Sequence, residues 1–474
     1  MISKLKGIIT NFSYTFSSNL VALFIATLVV AIVPKMLGIE DYGYFQIYLF
    51  YSGFVGFLQF GWIDGIYLRY GGKKYEDLDK NLFYSQFWLL TGFQALLTCL
   101  FWFYAQLAQP IADNSYILVL IGICTLLNNT QGMLLYVLQA TFRIREYSIV
   151  IIIGRIFYCS LIIGCTIFQV KDYKYMIYAD LIGRGISFFL ATYYCKDIVF
   201  RNIRRFRFSI SETWKNISGG IKLMFANIAN MLIVGTVRWG IVDKWDVATF
   251  GKISLTLSVS NLIMTFISAA GIIMFPILRR TKEENFPNIY LLLRNLMTAP
   301  LYCILILYYP IKGVLSLWLP QYAESLNYMA LLFPMCVYTA KTTLLGNSYL
   351  YTLRKENVLM NINFITFALS VTMTYMTVYI LNDLNLAVIS IVVLLAIRSI
   401  LPEMYLARLM KLDVVKDNIY ETILTIVFII SGWVIGSWKG MFIYTATYII
   451  YILLIRKNIS QTIVQLKSYL ILKS

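Results

Sequence analysis

Apolar runs of about 20 residues follow one another along the whole chain, and a run of that length crosses roughly 30 Å of hydrocarbon as an α-helix. Short connectors rich in Lys, Arg, Asp, Asn and Gly separate them. With the turn signals added, the pattern predicts spans near 8–33, 44–68, 82–108, 116–140, 149–169 and 175–195. A second series follows near 217–240, 247–277, 288–311, 326–350, 358–381 and 385–407, then a last pair near 419–437 and 440–455. The first run, after Lys4 and Lys6, is too long for a cleaved signal core and lacks a small-x-small cleavage site, so it reads as a retained span. The alternating strand pattern of an outer-membrane barrel is missing.

Composition supports lipid as the solvent. The 474 residues are 59% hydrophobic and 13% charged, too little polar surface to cover a soluble globule of this size. The expected fold class is all-α, a polytopic membrane protein of about 14 transmembrane helices. Histidine is absent, which excludes imidazole base catalysis and His-ligated metals. The 7 cysteines lie in or at the ends of apolar runs without Cys-x-x-Cys spacing and read as packing residues. No metal site, organic cofactor or enzymatic activity is expected.

Charge in the connectors sets the orientation. With the N-terminus cytoplasmic, Arg69, Lys73, Lys74, Lys80, Arg143, Arg145, Arg201, Arg204, Arg205, Arg207, Arg279, Arg280, Arg354, Lys355, Arg408 and Lys411 fall on inside loops. The outside set holds Lys35, Lys171, Lys174, Lys244, Lys312 and Lys439. By the positive-inside rule both termini are expected in the cytoplasm. The net charge of +17 sits on short connectors beside lipid, which points to anionic headgroups rather than nucleic acid as partners. The longest connector, 196–216, leaves no room for an attached soluble domain.

The chain also resembles itself. Asn19 and Gly43 recur as Asn227 and Gly251 at one common spacing, and Arg145-Glu146 recurs as Lys355-Glu356 at nearly the same spacing. An even number of spans per repeat predicts two parallel six-helix lobes related by a pseudo-two-fold axis along the membrane normal, with a cleft between them. The expected organisation is an N-terminal lobe over 1–200, a basic linker over 201–216, a C-terminal lobe over 217–410, an accessory helix pair over 411–456 and an amphipathic cytoplasmic tail over 457–474.

Charged residues inside the spans are the candidate chemistry, since each costs about 2.5–3.5 kcal/mol at the bilayer centre. The cations are Arg155, Arg184, Lys222, Arg238, Lys252, Arg294, Lys341 and Arg398, against the acids Asp64, Asp180 and Glu403. Lys222, Arg238 and Lys252 lie near helix ends and are expected to snorkel. Arg184 has Asp180 one turn away, so either a local ion pair or a ligand contact is open to it. Arg155 is placed to pair with Asp64. Lys341, Arg398 and Arg294 have no acidic neighbour nearby in sequence, Glu403 at the helix end excepted. The surplus of cations suits an anionic cargo such as a pyrophosphate or an acidic sugar. Asp64 and Asp180 are candidates either for charge compensation or for binding a coupling ion, H+ or Na+. Trp62, Tyr338, Tyr349 and Tyr351 are either sugar-stacking groups or packing residues.

Three N-terminal segments carry a family resemblance: Pro34-Lys-Met-Leu-Gly38, Glu40-Asp-Tyr-Gly-Tyr-Phe45 and Gly61-Trp-Ile-Asp-Gly-Ile-Tyr-Leu-Arg69. Short basic connectors follow at Arg143-Ile-Arg-Glu-Tyr147 and Tyr351-Thr-Leu-Arg-Lys-Glu356. With the span number and the duplication, the chain resembles the Wzx-type polysaccharide flippases, the polysaccharide transporter family of the MOP exporter superfamily. The resemblance implies two lobes around a cationic cavity and export of undecaprenyl-pyrophosphate-linked oligosaccharide by alternating access, for O-antigen or capsule assembly. It implies a lipid-linked anionic glycan as partner, with glycan polymerase machinery nearby, and Arg184, Arg294, Lys341 and Arg398, with Arg155, as substrate-binding cations. The rival readings are a MATE-like multidrug or metabolite antiporter, and a membrane glycosyltransferase or glycan polymerase.

Overall fold

The computed structural model describes the backbone of residues 2–108, 112–279 and 286–471, and the side chains of 19–107, 112–264 and 286–456. The described residues form helices and short connectors. In chain order the long elements are α1 (Ile2–Met36), α2 (39–70), α3 (Lys80–Ala108), α4 (Ala112–Ala140), α5 (Ile144–Ile167), α6 (Tyr173–Tyr194) and α7 (Ile210–Lys244). They continue as α8 (Val247–Arg279), α9 (Phe286–Trp318), α10 (Ser325–Thr352), α11 (Glu356–Ile380), α12 (Leu384–Met410), α13 (Val415–Ile435) and α14 (Trp438–Ile471). Twelve of these are long and apolar enough to cross a membrane. The other two complete the expected series: α2 is broken, and α6 carries Asp180 and Arg184 in its middle.

The break in α2 was not foreseen. Its pieces are Ile39–Ser52, a 3-10 turn Val55–Gln59 and Trp62–Tyr70. Phe60 and Gly61 take φ of 54° and 81°, the left-handed region that ends a helix and that glycine tolerates best. The close approach of α7 explains the glycines here. A Cβ on Gly61 would lie 2.6 Å from the Ile221 nitrogen, one on Gly65 1.8 Å from the Asn216 carbonyl oxygen, and one on Gly220 2.0 Å from the Gly61 carbonyl oxygen. Backbone contact of this kind is how membrane helices pack without large side chains between them. A second such crossing joins α5 to α6, where a Cβ on Gly154 would fall 1.8 Å from Ser187 Oγ.

By packing, the chain divides into Met1–Ile228 and Ala229–Ser474. The division falls inside α7 rather than in the basic linker ahead of it. The first unit has a core built from α2, α3 and α4, including Ile66, Phe87, Leu90, Met133 and Leu134. In the second unit α13 and α14 pack on α9 and α10. Among the described residues three π-helical turns interrupt this unit, at Thr342–Asn347, Tyr375–Ile380 and Ser431–Ile435. The backbone of the tail continues α14 to Ile471, while the side chains of 457–474 that would make it amphipathic lie outside the described residues. The side chains of Lys4, Lys6, Arg279, Arg280 and Lys282 lie outside them too.

Candidate functional site

The first unit holds a cavity of about 550 Å³ walled by α1, α2, α4, α5 and α6, a size ordinary for small-molecule sites. Its polar groups converge from the helices that cross at Gly154 and Gly183. Arg184 Nε donates to Asp180 Oδ2 at 2.8 Å, and its Nη1 donates to Asn128 Oδ1 at 2.9 Å. Tyr48, fully buried, donates its hydroxyl to the same Asp180 oxygen at 2.7 Å. Asp180 therefore compensates Arg184 and fixes its rotamer, leaving Nη2 pointing to no partner among the described residues. Arg155 lines the same cavity, is exposed, and has no ion pair among the described residues. The cavity thus keeps the charge of Arg155 uncompensated.

The expected pairing of Arg155 with Asp64 is not formed. Asp64, 8% exposed, accepts instead from Gln59 Nε2 at 2.6 Å, and Gln59 Oε1 accepts from the Ile63 nitrogen at 2.7 Å. The left-handed break at Phe60 and Gly61 brings Gln59 back over the first turn of the Trp62–Tyr70 helix, which accounts for the changed partner.

In the second unit the structure corrects the expectation that Arg294 and Lys341 lack acidic partners. Arg294, 2% exposed, is bonded through Nε to Glu403, through Nη1 to Asp417 at 3.1 Å and through Nη2 to Glu421 at 2.7 Å. Lys341 Nζ lies 2.9 Å from Glu403 Oε2, contacts Glu421 and donates to Asn418 Oδ1 at 3.3 Å. Helices α9, α10, α12 and α13 each contribute to this cluster. The two cations meet three carboxylates, so these groups leave no positive surplus. Asp417 and Glu421 are the residues sequence reasoning missed. Their signal was present, two acids one turn apart at the start of an apolar run, the i, i+4 spacing that sets both on one helix face.

Arg398 differs. It is 6% exposed, its Nε donates to Asn363 Oδ1 at 3.1 Å, and no carboxylate pairs with it among the described residues. Arg238, expected to snorkel, donates from Nη2 to Ser254 Oγ at 3.1 Å and stands over the Phe250 ring. Three of the aromatic candidates are interior: Trp62 donates to Gln86 Oε1 at 2.9 Å, Tyr338 to Thr425 Oγ1 at 2.9 Å, and Tyr349 packs edge-on against Tyr290. Tyr351 is exposed. No cluster of His, Cys, Asp or Glu suited to a metal occurs among the described residues.

The fold is similar to that of several solved transporters of the MOP superfamily. The chain is similar to the lipid II flippase MurJ in an inward closed conformation, at 12% identity and TM-score 0.64 over 95% of this chain and 99% of that one. It is similar to an inward-facing multidrug resistance MATE family transporter at 13% identity and TM-score 0.63, over 82% of this chain and 96% of that one. A MOP superfamily transporter from Pyrococcus furiosus Vc1, described by the reverse polarity of its binding pocket, matches at 12% identity and TM-score 0.53, over 85% and 95% of the two chains. No protein-family model and no curated protein matches the sequence. The structures it resembles are transporters and a flippase rather than enzymes.

Proposed function

We propose that the protein exports a lipid-linked anionic glycan, moving undecaprenyl-pyrophosphate-linked oligosaccharide units from the cytoplasmic to the outer leaflet of the bacterial inner membrane by alternating access. The supporting observation is that Arg155 and Arg398 stand inside membrane spans without a carboxylate among the described residues. An uncompensated cation in lipid is costly, and an anionic cargo repays that cost. In this reading Arg155 grips the pyrophosphate in the cavity of the first unit, and Arg184, held by Asp180, offers its free Nη2 as a second donor. Arg294 and Lys341 leave the set of substrate-binding cations, because their charge is already matched inside the second unit. Asp180 serves charge compensation. Asp64 is the candidate for carrying a coupling proton, because it is buried and has Gln59 rather than a cation as partner.

The second reading is a MATE-like antiporter, which the fold supports equally. In its favour is the excess of acid in the Arg294–Lys341 cluster, although Arg294, Lys341, Glu403 and Glu421 are only 2–4% exposed and Asp417 alone of the five reaches 18%. Deleting the gene and following lipid-linked glycan in the inner leaflet separates the readings. The exporter reading expects glycan to accumulate, and expects Arg155→Gln to fail in complementation at normal protein level. Absence of accumulation, together with sensitivity to cationic drugs, overturns it.

A further inference from the structure

The connector between α6 and α7, with the start of α7, presents an unpartnered surface of mixed character. Phe200, Ile203, Phe208, Ile210 and Trp214 are between 65% and 79% exposed, more than most apolar side chains on the helices themselves. Arg204, Arg205 and Arg207 are exposed among them, and their guanidinium groups have no partner among the described residues. The surface is held in place from behind. Arg207 donates its backbone N–H to Ser85 Oγ at 2.9 Å, Trp88 Nε1 donates to the Val199 carbonyl at 3.1 Å, and Arg201 Nε donates to the Asp197 carbonyl at 2.7 Å. Only the short 3-10 turn Ile203–Arg205 interrupts extended backbone here, before α7 begins at Ile210.

Two physical limits fix where such a segment can lie. Its open backbone cannot enter hydrocarbon, where every N–H and C=O needs a partner. Its exposed aromatic and aliphatic groups disfavour bulk water. The interface satisfies both, with rings at the acyl boundary and guanidinium groups at the level of the phosphates. We propose that the 200–214 segment, the connector and the start of α7, is a binding surface for anionic phospholipid headgroups, with Arg204, Arg205 and Arg207 taking the phosphates and Ile203, Phe208 and Trp214 seated among the acyl chains. Free guanidinium groups favour anionic over zwitterionic lipid, by about fivefold for each charge near the surface.

The test uses Trp214 as the reporter. The full chain and its Trp214→Phe variant are reconstituted in nanodiscs of equal parts phosphatidylglycerol and phosphatidylcholine, with bromine on the chains of one lipid or the other. The difference between the two proteins isolates the Trp214 emission. Stronger quenching by brominated phosphatidylglycerol is expected, becoming equal for the two lipids when Arg204, Arg205 and Arg207 are all changed to Gln. Equal quenching in the unmodified protein overturns the headgroup assignment. No quenching by either lipid, with iodide in the water quenching instead, overturns the membrane placement and leaves the surface to an acidic protein or nucleic acid.

Discussion

Changing Lys341 to Met keeps a long unbranched side chain and removes one of the two cations from the buried cluster of the second unit. Fully ionised, Arg294 and Lys341 against Glu403, Asp417 and Glu421 sum to −1. Lys341→Met takes the cluster to −2 at a site 4% exposed, and leaves Glu403, Asp417 and Glu421 all sharing Arg294. Breaking a buried pair by removing one partner costs about 3–5 kcal/mol, much of it for the charge left behind. Glu421→Gln moves the sum to neutral and keeps a hydrogen-bonding side chain, so its cost is about 1–3 kcal/mol. The double variant returns the cluster to its original sum, and contacting charges of this kind couple by about 0.5–3 kcal/mol. The double is therefore expected to lie well short of the two single losses added together. Unfolding of the purified protein in one detergent, followed by denaturant titration of all four proteins, gives the cycle. Additivity within about 0.5 kcal/mol, the behaviour of distant sites, would refute the cluster.

Three smaller predictions follow from other parts of the molecule. Gly220→Ala is expected to destabilise by about 1–3 kcal/mol, because its Cβ would meet the Gly61 carbonyl oxygen at 2.0 Å, while Gly219→Ala next to it has open space and is expected to be neutral or stabilising in the same denaturant titration. Arg398→Gln removes a buried cation that has Asn363 as its hydrogen-bond acceptor, so it is expected to raise thermal stability while lowering export, and a drop in both would refute the assignment. Asp246 accepts from the Thr249 hydroxyl and from the Thr249 nitrogen, the latter at 2.9 Å, at the start of α8, and those bonds, the hydroxyl's first, hold its carboxyl below the ordinary 3.8. Asp246→Ala is thus expected to cost about 0.5–2 kcal/mol near neutral pH, a difference present above the ordinary value that closes as pH falls through the lowered one; a gap independent of pH would refute the charged cap.

Much of the helical framework was legible because lipid imposes one rule on every span, a long apolar run closed by polar turns. Each predicted span finds its helix, and the Asp180–Arg184 pair was readable because its members are one turn apart. The break at Phe60 and Gly61 was not, since a positive φ at phenylalanine follows from where α7 passes rather than from the local residues. The charge balance failed for a related reason. Arg294 finds Glu403 and Glu421 at separations of 109 and 127 residues, so no window along the chain contains both partners. Counting only acids near each cation made the second unit look more positive than it is. Arg155, whose expected partner Asp64 is taken by Gln59, erred the other way and keeps its charge.

Direct binding to the purified protein in nanodiscs tests the central claim most closely. Native mass spectrometry is run with a polyprenyl pyrophosphate-linked sugar and, separately, with a lipophilic cationic drug, on the unmodified chain and on Arg155→Gln. The account predicts an adduct with the pyrophosphate lipid that Arg155→Gln weakens at least tenfold, about 1.4 kcal/mol, and no retained cation. Retention of the cationic drug by both proteins, with no pyrophosphate adduct on either, would contradict it.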